Sequence, residues 1–296
     1  MRKLKILIIK LGYSETLDPE IGKHISLGDV LRTTPILSAL KEKYKKSHIS
    51  WLVSSNAEPL INNNKFINRV LIWDDFVGYQ LLSEKFDIVI NLEKVAGICA
   101  LSDKIDAFKK YGFRYNNDTG YYDVYDQSFQ FIDYINKKKQ GNISEDCWQK
   151  SLIELLDLQW KNQSYSLGYI PKSKVSYDIG LNYQVGKKWP EKAMAMKQWK
   201  KLAKKLDNQD ITYSWQEGLD SIYDYIDWIN SCKIIITQDS LGLHIALALG
   251  KKVIALFGPT TSKEVCFYQN SVVLNAKDNN MKNIKIKHIL ENIKKK

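Results

Sequence analysis

Residues 5–12 read Lys5-Ile6-Leu7-Ile8-Ile9-Lys10-Leu11-Gly12. Four consecutive aliphatic residues with no polar alternation, closed by a glycine, are the pattern of a strand buried on both faces of a parallel sheet. The same grammar recurs downstream. Strands are expected over 49–54, over 66–73 around Arg69-Val-Leu-Ile-Trp73, and over 86–92, with helical stretches between them. A helix is expected over 28–46, where Val30, Leu31, Leu37, Leu40 and Tyr44 recur near helical spacing. Strand–helix alternation of this kind predicts a doubly wound parallel α/β sheet.

Residues 103–126 are aromatic, polar and aperiodic, and predict loops with an edge strand. A helix follows over 145–158, and residues 163–174, with Gly168 and Pro171, form the best interdomain linker. The alternation then restarts. Strands are expected over 177–181, 233–237 and 253–257, and helices over 192–206 and 242–249. A last helix carries Ile286, Ile289, Leu290 and Ile293 on one face. Two half-chains with one pattern predict two similar domains with a cleft between them.

The chain has 296 residues, 44% hydrophobic and 26% charged, the balance of a globular protein. No apolar run approaches the roughly 20 residues of a membrane-spanning helix. The basic start resembles a secretory signal, but its apolar run is short, is interrupted by Lys10, and precedes no small-residue cleavage site. Cys99, Cys147, Cys232 and Cys266 lie far apart. Their spacing predicts neither a zinc site nor a disulfide framework and fits a reducing cytoplasm. The net charge of +11 suits an anionic partner such as a nucleotide diphosphate, a phosphorylated glycan or an acidic membrane surface. No nucleic-acid motif accompanies it, so nucleic acid is not an expected partner. Dispersed lysines that merely solvate a surface explain much of the same charge.

Three constellations carry candidate chemistry. In the first, Lys10-Leu11-Gly12 is followed by Gly28-Asp29-Val30-Leu31-Arg32-Thr33-Thr34-Pro35. In open α/β sheets ligands gather at the carboxyl ends of strands, where loops and helix N-termini converge. Asp29 there is either a helix N-cap or a general base. In the second, Gly186-Lys187-Lys188-Trp189-Pro190 follows the first strand of the second half, and Lys187 offers a point charge to phosphate. A basic turn around a buried tryptophan is an equal alternative. In the third, Thr237-Gln238-Asp239-Ser240-Leu241-Gly242-Leu243-His244 ends a strand and opens a helix, whose free amides and dipole favour a diphosphate. His244 is either a phosphate donor or a buried structural histidine.

Taken together, Ile6–Gly12 with Gly28–Leu40, Ile49-Ser-Trp-Leu-Val53, Asn68-Arg-Val-Leu71, Lys187-Lys-Trp-Pro190, the Asp239-Ser240…His244 turn and Ala255-Leu-Phe-Gly-Pro-Thr260 resemble the signatures of the ADP-heptose:lipopolysaccharide heptosyltransferase family, glycosyltransferase family 9. The match covers both ends of the chain and fails through much of the middle. The resemblance implies a GT-B architecture, two Rossmann-like domains with parallel sheets facing a central cleft. Residues 1–165 would form the acceptor-binding domain carrying the catalytic base, and residues 166–296 the nucleotide-sugar donor domain.

The resemblance further implies an inverting, metal-independent transferase with no cofactor. It would move a heptose from ADP-heptose to a hydroxyl of a lipopolysaccharide-core or other surface-glycan acceptor. Asp29 occupies the position of the catalytic base. Lys187, Asp239, Ser240, Gly242 and His244 would bind the donor, and Lys10, Gly28, Arg32, Lys188, Glu217 and Thr260 are further candidate phosphate or acceptor contacts. The expected partners are a nucleotide sugar and an anionic glycan or glycolipid. The expected location is cytoplasmic, peripheral at the inner face of the cytoplasmic membrane, although the Lys-rich last helix reads slightly better as packed on its domain. The alternatives are a transferase of another nucleotide sugar and a non-catalytic nucleotide-sugar-binding relative.

The chain departs from the family pattern in three places. Residues 13–27 (YSETLDPEIGKHISL) form a long insertion, read either as an acceptor element or lid using its acids and His24, or as a tolerated loop. Leu241 stands where the family has glycine directly after Asp-Ser/Thr, with Gly242 one place later. Residues 208–223 are short where the family has a full strand–helix unit, and Glu217 is the candidate replacement for its donor-contacting acid.

Overall fold

The computed structural model describes residues 3–13, 25–139, 146–186, 189–268 and 270–294. The chain divides into two compact units, Met1–Tyr169 and Ile170–Lys296. Each is built on its own sheet.

The first unit holds a six-stranded sheet of β1 (Lys5–Ile9), β2 (His48–Val53), β3 (Arg69–Ile72), β4 (Lys85–Asn91), β5 (Asp106–Tyr115) and β6 (Tyr122–Val124), in the order β3-β2-β1-β4-β5-β6. All pairings are parallel except β5 with β6. The aliphatic run that opened the sequence analysis sits between β2 and β4, with Ile6, Leu7, Ile8 and Ile9 fully buried. Leu7, Ile9, Leu52, Leu71 and Val89 form one apolar layer with Leu81 and Ile98. Those two residues belong to helices α4 (Asp75–Leu82) and α5 (Ala96–Lys104). At about 25 cal/mol per Å², each fully buried aliphatic side chain contributes roughly 1.5–3 kcal/mol, so this layer supplies the driving force for the unit.

Two expectations for this unit need correction. The helix expected over 28–46 is two helices, α1 (Leu27–Thr33) and α2 (Pro35–Lys43), with α3 (Glu58–Ile61) later in the chain. Pro35 has no N–H to continue α1, and its fixed φ suits the first position of a new helix. The Thr33 and Thr34 hydroxyls donate instead to the carbonyls of Asp29 (2.7 Å) and Leu31 (2.7 Å). The stretch expected to hold loops with an edge strand has β6 at the sheet edge, but it also holds β5, a ten-residue strand inside the sheet. Its alternation is masked because Lys109, Lys110 and Arg114 present polar ends while Tyr111, Gly112 and Phe113 are buried. Gly112 lies at φ 88°, and a Cβ there would collide with the Asn91 carbonyl oxygen, so no other residue fits that position. Helices α6 (Phe129–Lys139) and α7 (Trp148–Leu155) complete the unit.

The second unit holds β7 (Tyr177–Asn182), β8 (Tyr213–Trp215), β9 (Cys232–Gln238), β10 (Lys252–Phe257) and β11 (Ser271–Asn275), in the order β11-β10-β9-β7-β8, all parallel. Ile179, Leu181, Ile236, Ile254 and Leu256 form one face of this sheet. They pack on Trp199, Leu202 and Leu206 of α8 (Met196–Asp207) and on Ile289 of α11 (Ile286–Lys294). Helices α9 (Ile222–Asn230) and α10 (Leu241–Ala248) pack on each other and on β9 and β10, outside that cluster, which leaves them the opposite face. Ile286, Ile289, Leu290 and Ile293 all join the core, so α11 spends its apolar face on its own unit.

Cys99 and Cys232 are free thiols, both buried. Among the described residues, no helix is long and apolar enough to cross a membrane.

Candidate functional site

Both sheets reverse their winding direction at one place, and in open α/β sheets ligands bind at the carboxyl ends of the strands flanking that reversal. In the first unit the reversal falls between β1 and β4, and in the second between β7 and β9. Lys10, Gly28, Asp29 and Arg32 follow β1, and Asp239, Ser240, Gly242 and His244 follow β9.

In the first unit β1 ends at Ile9, and Gly12 follows at φ 104°, a conformation that favours glycine. Behind this turn lies Glu93, just beyond the end of β4 and 1% exposed. Its Oε1 accepts the backbone N–H groups of Leu11 (2.7 Å), Gly12 (2.9 Å) and Tyr13 (3.3 Å). Lys10 is fully buried beside it, with Nζ 3.5 Å from the carboxylate and donating to the Tyr13 carbonyl (3.2 Å). Burial pushes the Glu93 carboxyl up, while Lys10 and the three amides pull against that shift. Lys10 is therefore held inside the turn as a partner of Glu93.

The turn positions α1. Ser26 N–H donates to the Gly12 carbonyl (2.6 Å), and Tyr13 and Ile25 form an antiparallel bridge. The flanks of the 13–27 insertion are thus tied together, while its residues 14–24, His24 included, lie outside the described residues. Ser26 occupies the N-cap position of α1, which corrects the reading of Asp29 as the cap. Gly28 and Asp29 lie in the first turn, where the helix dipole favours a carboxylate. The Asp29 side chain is 13% exposed, and its Oδ1 lies 3.6 Å from the Arg32 guanidinium. Arg32 in turn stacks over the Trp148 ring of α7 at 5.7 Å. Asp29 is thus a largely buried carboxylate with a fixed cationic neighbour.

In the second unit the end of β9 is cross-linked to its neighbours. Asn182, fully buried at the end of β7, donates to the Thr237 hydroxyl (2.7 Å) and the Ser240 hydroxyl (3.1 Å). Its carbonyl oxygen accepts from the Tyr225 hydroxyl of α9. Gly242 packs directly on this pair. A Cβ there would lie 2.6 and 2.7 Å from the Asn182 amide atoms, so the glycine is required by side-chain packing. Ser240 is the N-cap residue of α10, and His244 is buried one turn into that helix.

Asp239 pairs with Lys192 at 2.6 Å, the two side chains being 19% and 18% exposed. Burial works to raise the Asp239 carboxyl. The Lys192 charge and hydrogen bond, with smaller contributions from His244 and Thr260, outweigh it and hold the group below the usual range. Lys192 and Glu93 are functional candidates that the sequence reading missed. Lys187 and Lys188 lie outside the described residues.

A cavity of about 410 Å³ opens next to this cluster, lined by Gln184, Gln216, Glu217, Asp220, Ser221 and Tyr225 among others. It is bounded by the ends of β7 and β8 and by the first turn of α9, where Ser221 and Asp224 form a capping box. Glu217 is therefore brought to the candidate site, and Tyr225 links the cavity wall to Asn182 and Ser240. Among the described residues, no group of three or more His, Cys, Asp or Glu side chains is placed to hold a metal ion.

Residues 218–294 match the family described as glycosyltransferase family 9 (heptosyltransferase). That segment contains Asp239, Ser240, Gly242, His244 and Thr260 and part of the cavity wall, and it leaves Asp29 outside. No curated protein matches the chain. Among solved structures, the glycosyl transferase family 9 protein from Veillonella parvula is 18% identical, with a TM-score of 0.70 over 97% of this chain and 95% of that one. The E. coli ADP-heptose lps heptosyltransferase II is 14% identical, with a TM-score of 0.70 over 98% and 97%. E. coli heptosyltransferase WaaC with ADP-2-deoxy-2-fluoro heptose is 14% identical, with a TM-score of 0.66 over 97% and 98%. At these identities the structural likeness establishes the fold, the two-sheet α/β fold of GT-B heptosyltransferases. The family match bears out the resemblance read from the sequence and, with it, the glycosyltransferase class.

Proposed function

We propose that this chain, a glycosyltransferase of the heptosyltransferase type, transfers heptose from ADP-heptose to a hydroxyl of a surface-glycan acceptor with inversion at the anomeric carbon. The observation that carries the reading is the cavity at the carboxyl ends of β7 and β8. Its wall residue Tyr225 donates to Asn182, which in turn donates to the Ser240 N-cap of α10, and part of the wall lies in the segment that matches the family. Its lining combines amide and carboxylate side chains suited to a nucleoside's ring edges and hydroxyls, and the Tyr225–Asn182–Ser240 chain ties it to the helix amides of α10, which suit a diphosphate.

In the proposed reaction Asp29 accepts the proton of the acceptor hydroxyl. The freed oxygen lone pair forms the new bond to the anomeric carbon, and the bond to the diphosphate oxygen breaks on the opposite face. The electron pair leaves with the nucleoside diphosphate, and the proton on Asp29 passes to solvent. The leaving charge is met by Lys187, the amides opening α10, Ser240 and His244. Glu217 contributes from the cavity wall to the nucleoside end. Lys10 is withdrawn from direct contact because it is committed to Glu93. Arg32 acts through Asp29, which it faces. Supporting the choice of ADP-heptose are the family match and the solved neighbour with an ADP-heptose analogue. The proposed setting is the cytoplasmic face of the membrane that bears the acceptor.

Incubation with a panel of nucleotide sugars tests the donor. The expected result is hydrolysis or transfer from ADP-heptose, with a kcat/KM well above that for UDP- and GDP-sugars. Preference for a UDP- or GDP-sugar rules out the heptose assignment and leaves the transferase class standing.

A further inference from the structure

A diphosphate site at the mouth of the β7–β9 reversal meets an electrostatic obstacle. Asp239 sits there immediately before the Ser240 N-cap of α10. An uncompensated carboxylate beside the helix amides would repel the ligand that those amides attract. The structure supplies a compensating charge from a different connection. Lys192 ends the short turn Pro190–Lys192 after β7 and meets the Asp239 carboxylate at 2.6 Å.

The segment that carries Lys192 is itself pinned. The Met194 N–H donates to the side-chain oxygen of fully buried Gln238 (2.5 Å), whose amide donates onward to the Tyr183 carbonyl (2.9 Å). Adjacent residues Gln238 and Asp239 therefore each hold the 192–194 stretch, one by its backbone and one by its charge. A loose surface lysine would lose side-chain entropy on pairing and contribute little. This one is presented on a fixed backbone, with both partners largely withdrawn from solvent, where a charge pair costs desolvation and is a weak source of stability. A pair maintained at that cost, at this place, points to a role in the potential of the site.

We propose that Lys192 is the positioning and charge-compensating residue of the donor site, fixing Asp239 and cancelling its charge so that the α10 N-terminus accepts a diphosphate. This rests on the donor-site reading above, and it deepens that reading by separating the diphosphate part of recognition from the nucleoside part.

Titration calorimetry on the full chain tests it, using ADP, UDP, GDP, inorganic pyrophosphate and adenosine against wild type, Lys192→Met, Asp239→Asn and the double variant. Lys192→Met is expected to weaken ADP and pyrophosphate binding about tenfold, the order expected for exposing one partly screened charge near an anion. Adenosine binding should stay within about twofold, because the nucleoside carries no charge to be repelled. In the Asp239→Asn background, the same lysine substitution should cost less than about threefold, the signature of two residues acting as one unit. Lys192→Gln, which keeps a hydrogen-bond donor, serves if the methionine variant does not fold. Unchanged ADP affinity overturns the proposal. So does a parallel fall in adenosine affinity, which marks a general structural role. So does an equal loss in the Asp239→Asn background, which places Lys192 directly on the phosphates. If wild type binds none of the three nucleoside diphosphates, the donor-site reading fails and this inference fails with it.

Discussion

Glu93 is a charged residue in a place where charge is costly, 1% exposed behind the turn after β1. The cost is offset because one oxygen collects three backbone amides and the carboxylate faces fully buried Lys10. Glu93→Ala is expected to destabilise the protein by roughly 3–5 kcal/mol, because it strands a buried ammonium and three amides. Urea denaturation midpoints check this. A change under about 1 kcal/mol, the range of a surface pair, would show that the dyad is not the support of the turn.

Residue-scale legibility divides along sequence distance. Asp29, Asp239, Ser240 and His244 could be singled out because each sits in a local strand–turn–helix pattern. Glu93 and Lys192 could not. Glu93 bonds a residue 82 positions away and Lys192 one 47 positions away, and those pairings exist only once the sheets have formed. Gly242 was legible only as a donor-site candidate; the need for glycine there comes from the Asn182–Tyr225 pair beneath it.

At the scale of elements, the β8-β7-β9 end of the second sheet is stitched by one carboxylate. Asp178 at the start of β7 accepts from Lys233 of β9 (2.7 Å) and from the Thr212 hydroxyl (2.7 Å) and N–H (3.1 Å) just before β8. The Lys233 hydrogen bond first, and then that of Thr212, lowers its carboxyl from the ordinary 3.8 to about 2. A lowered carboxyl stabilises the fold above its unfolded value, and that contribution is lost as pH falls through the folded value. Asp178→Asn should therefore flatten the acid limb of the Tm–pH curve as pH falls from 3.8 toward about 2, with wild type and variant converging at the acid end. Parallel curves through that window would contradict the assignment.

Elements followed the sequence pattern where burial is two-sided, as in β1, β2, β4, β7, β9 and β10, whose aliphatic runs have no other reading. They escaped it where long polar side chains interrupt a strand, as in β5, and where a proline divides one apolar periodicity into two helices, as at Pro35. The 213–215 strand is three residues long, too short to carry a period of its own.

At the scale of the whole molecule, each unit repeats one design, a predominantly parallel sheet with a single winding reversal and charged or amide side chains gathered at strand carboxyl ends. That arrangement follows from the alternation of elements and was legible before any coordinates. The identity of the ligands was less so, because the cavity wall around Gln216 and Glu217, proposed here to meet the nucleoside, lies where the chain departs from the family pattern.

The central claim is that Asp29 is the base of a sugar transfer whose donor binds the second unit. Asp29→Asn, assayed for turnover and for ADP affinity, tests it most directly. The account predicts that kcat falls by about 10²–10⁴, the usual contribution of a positioned general base, while ADP binds as tightly as to wild type. Undiminished turnover in the variant would contradict it.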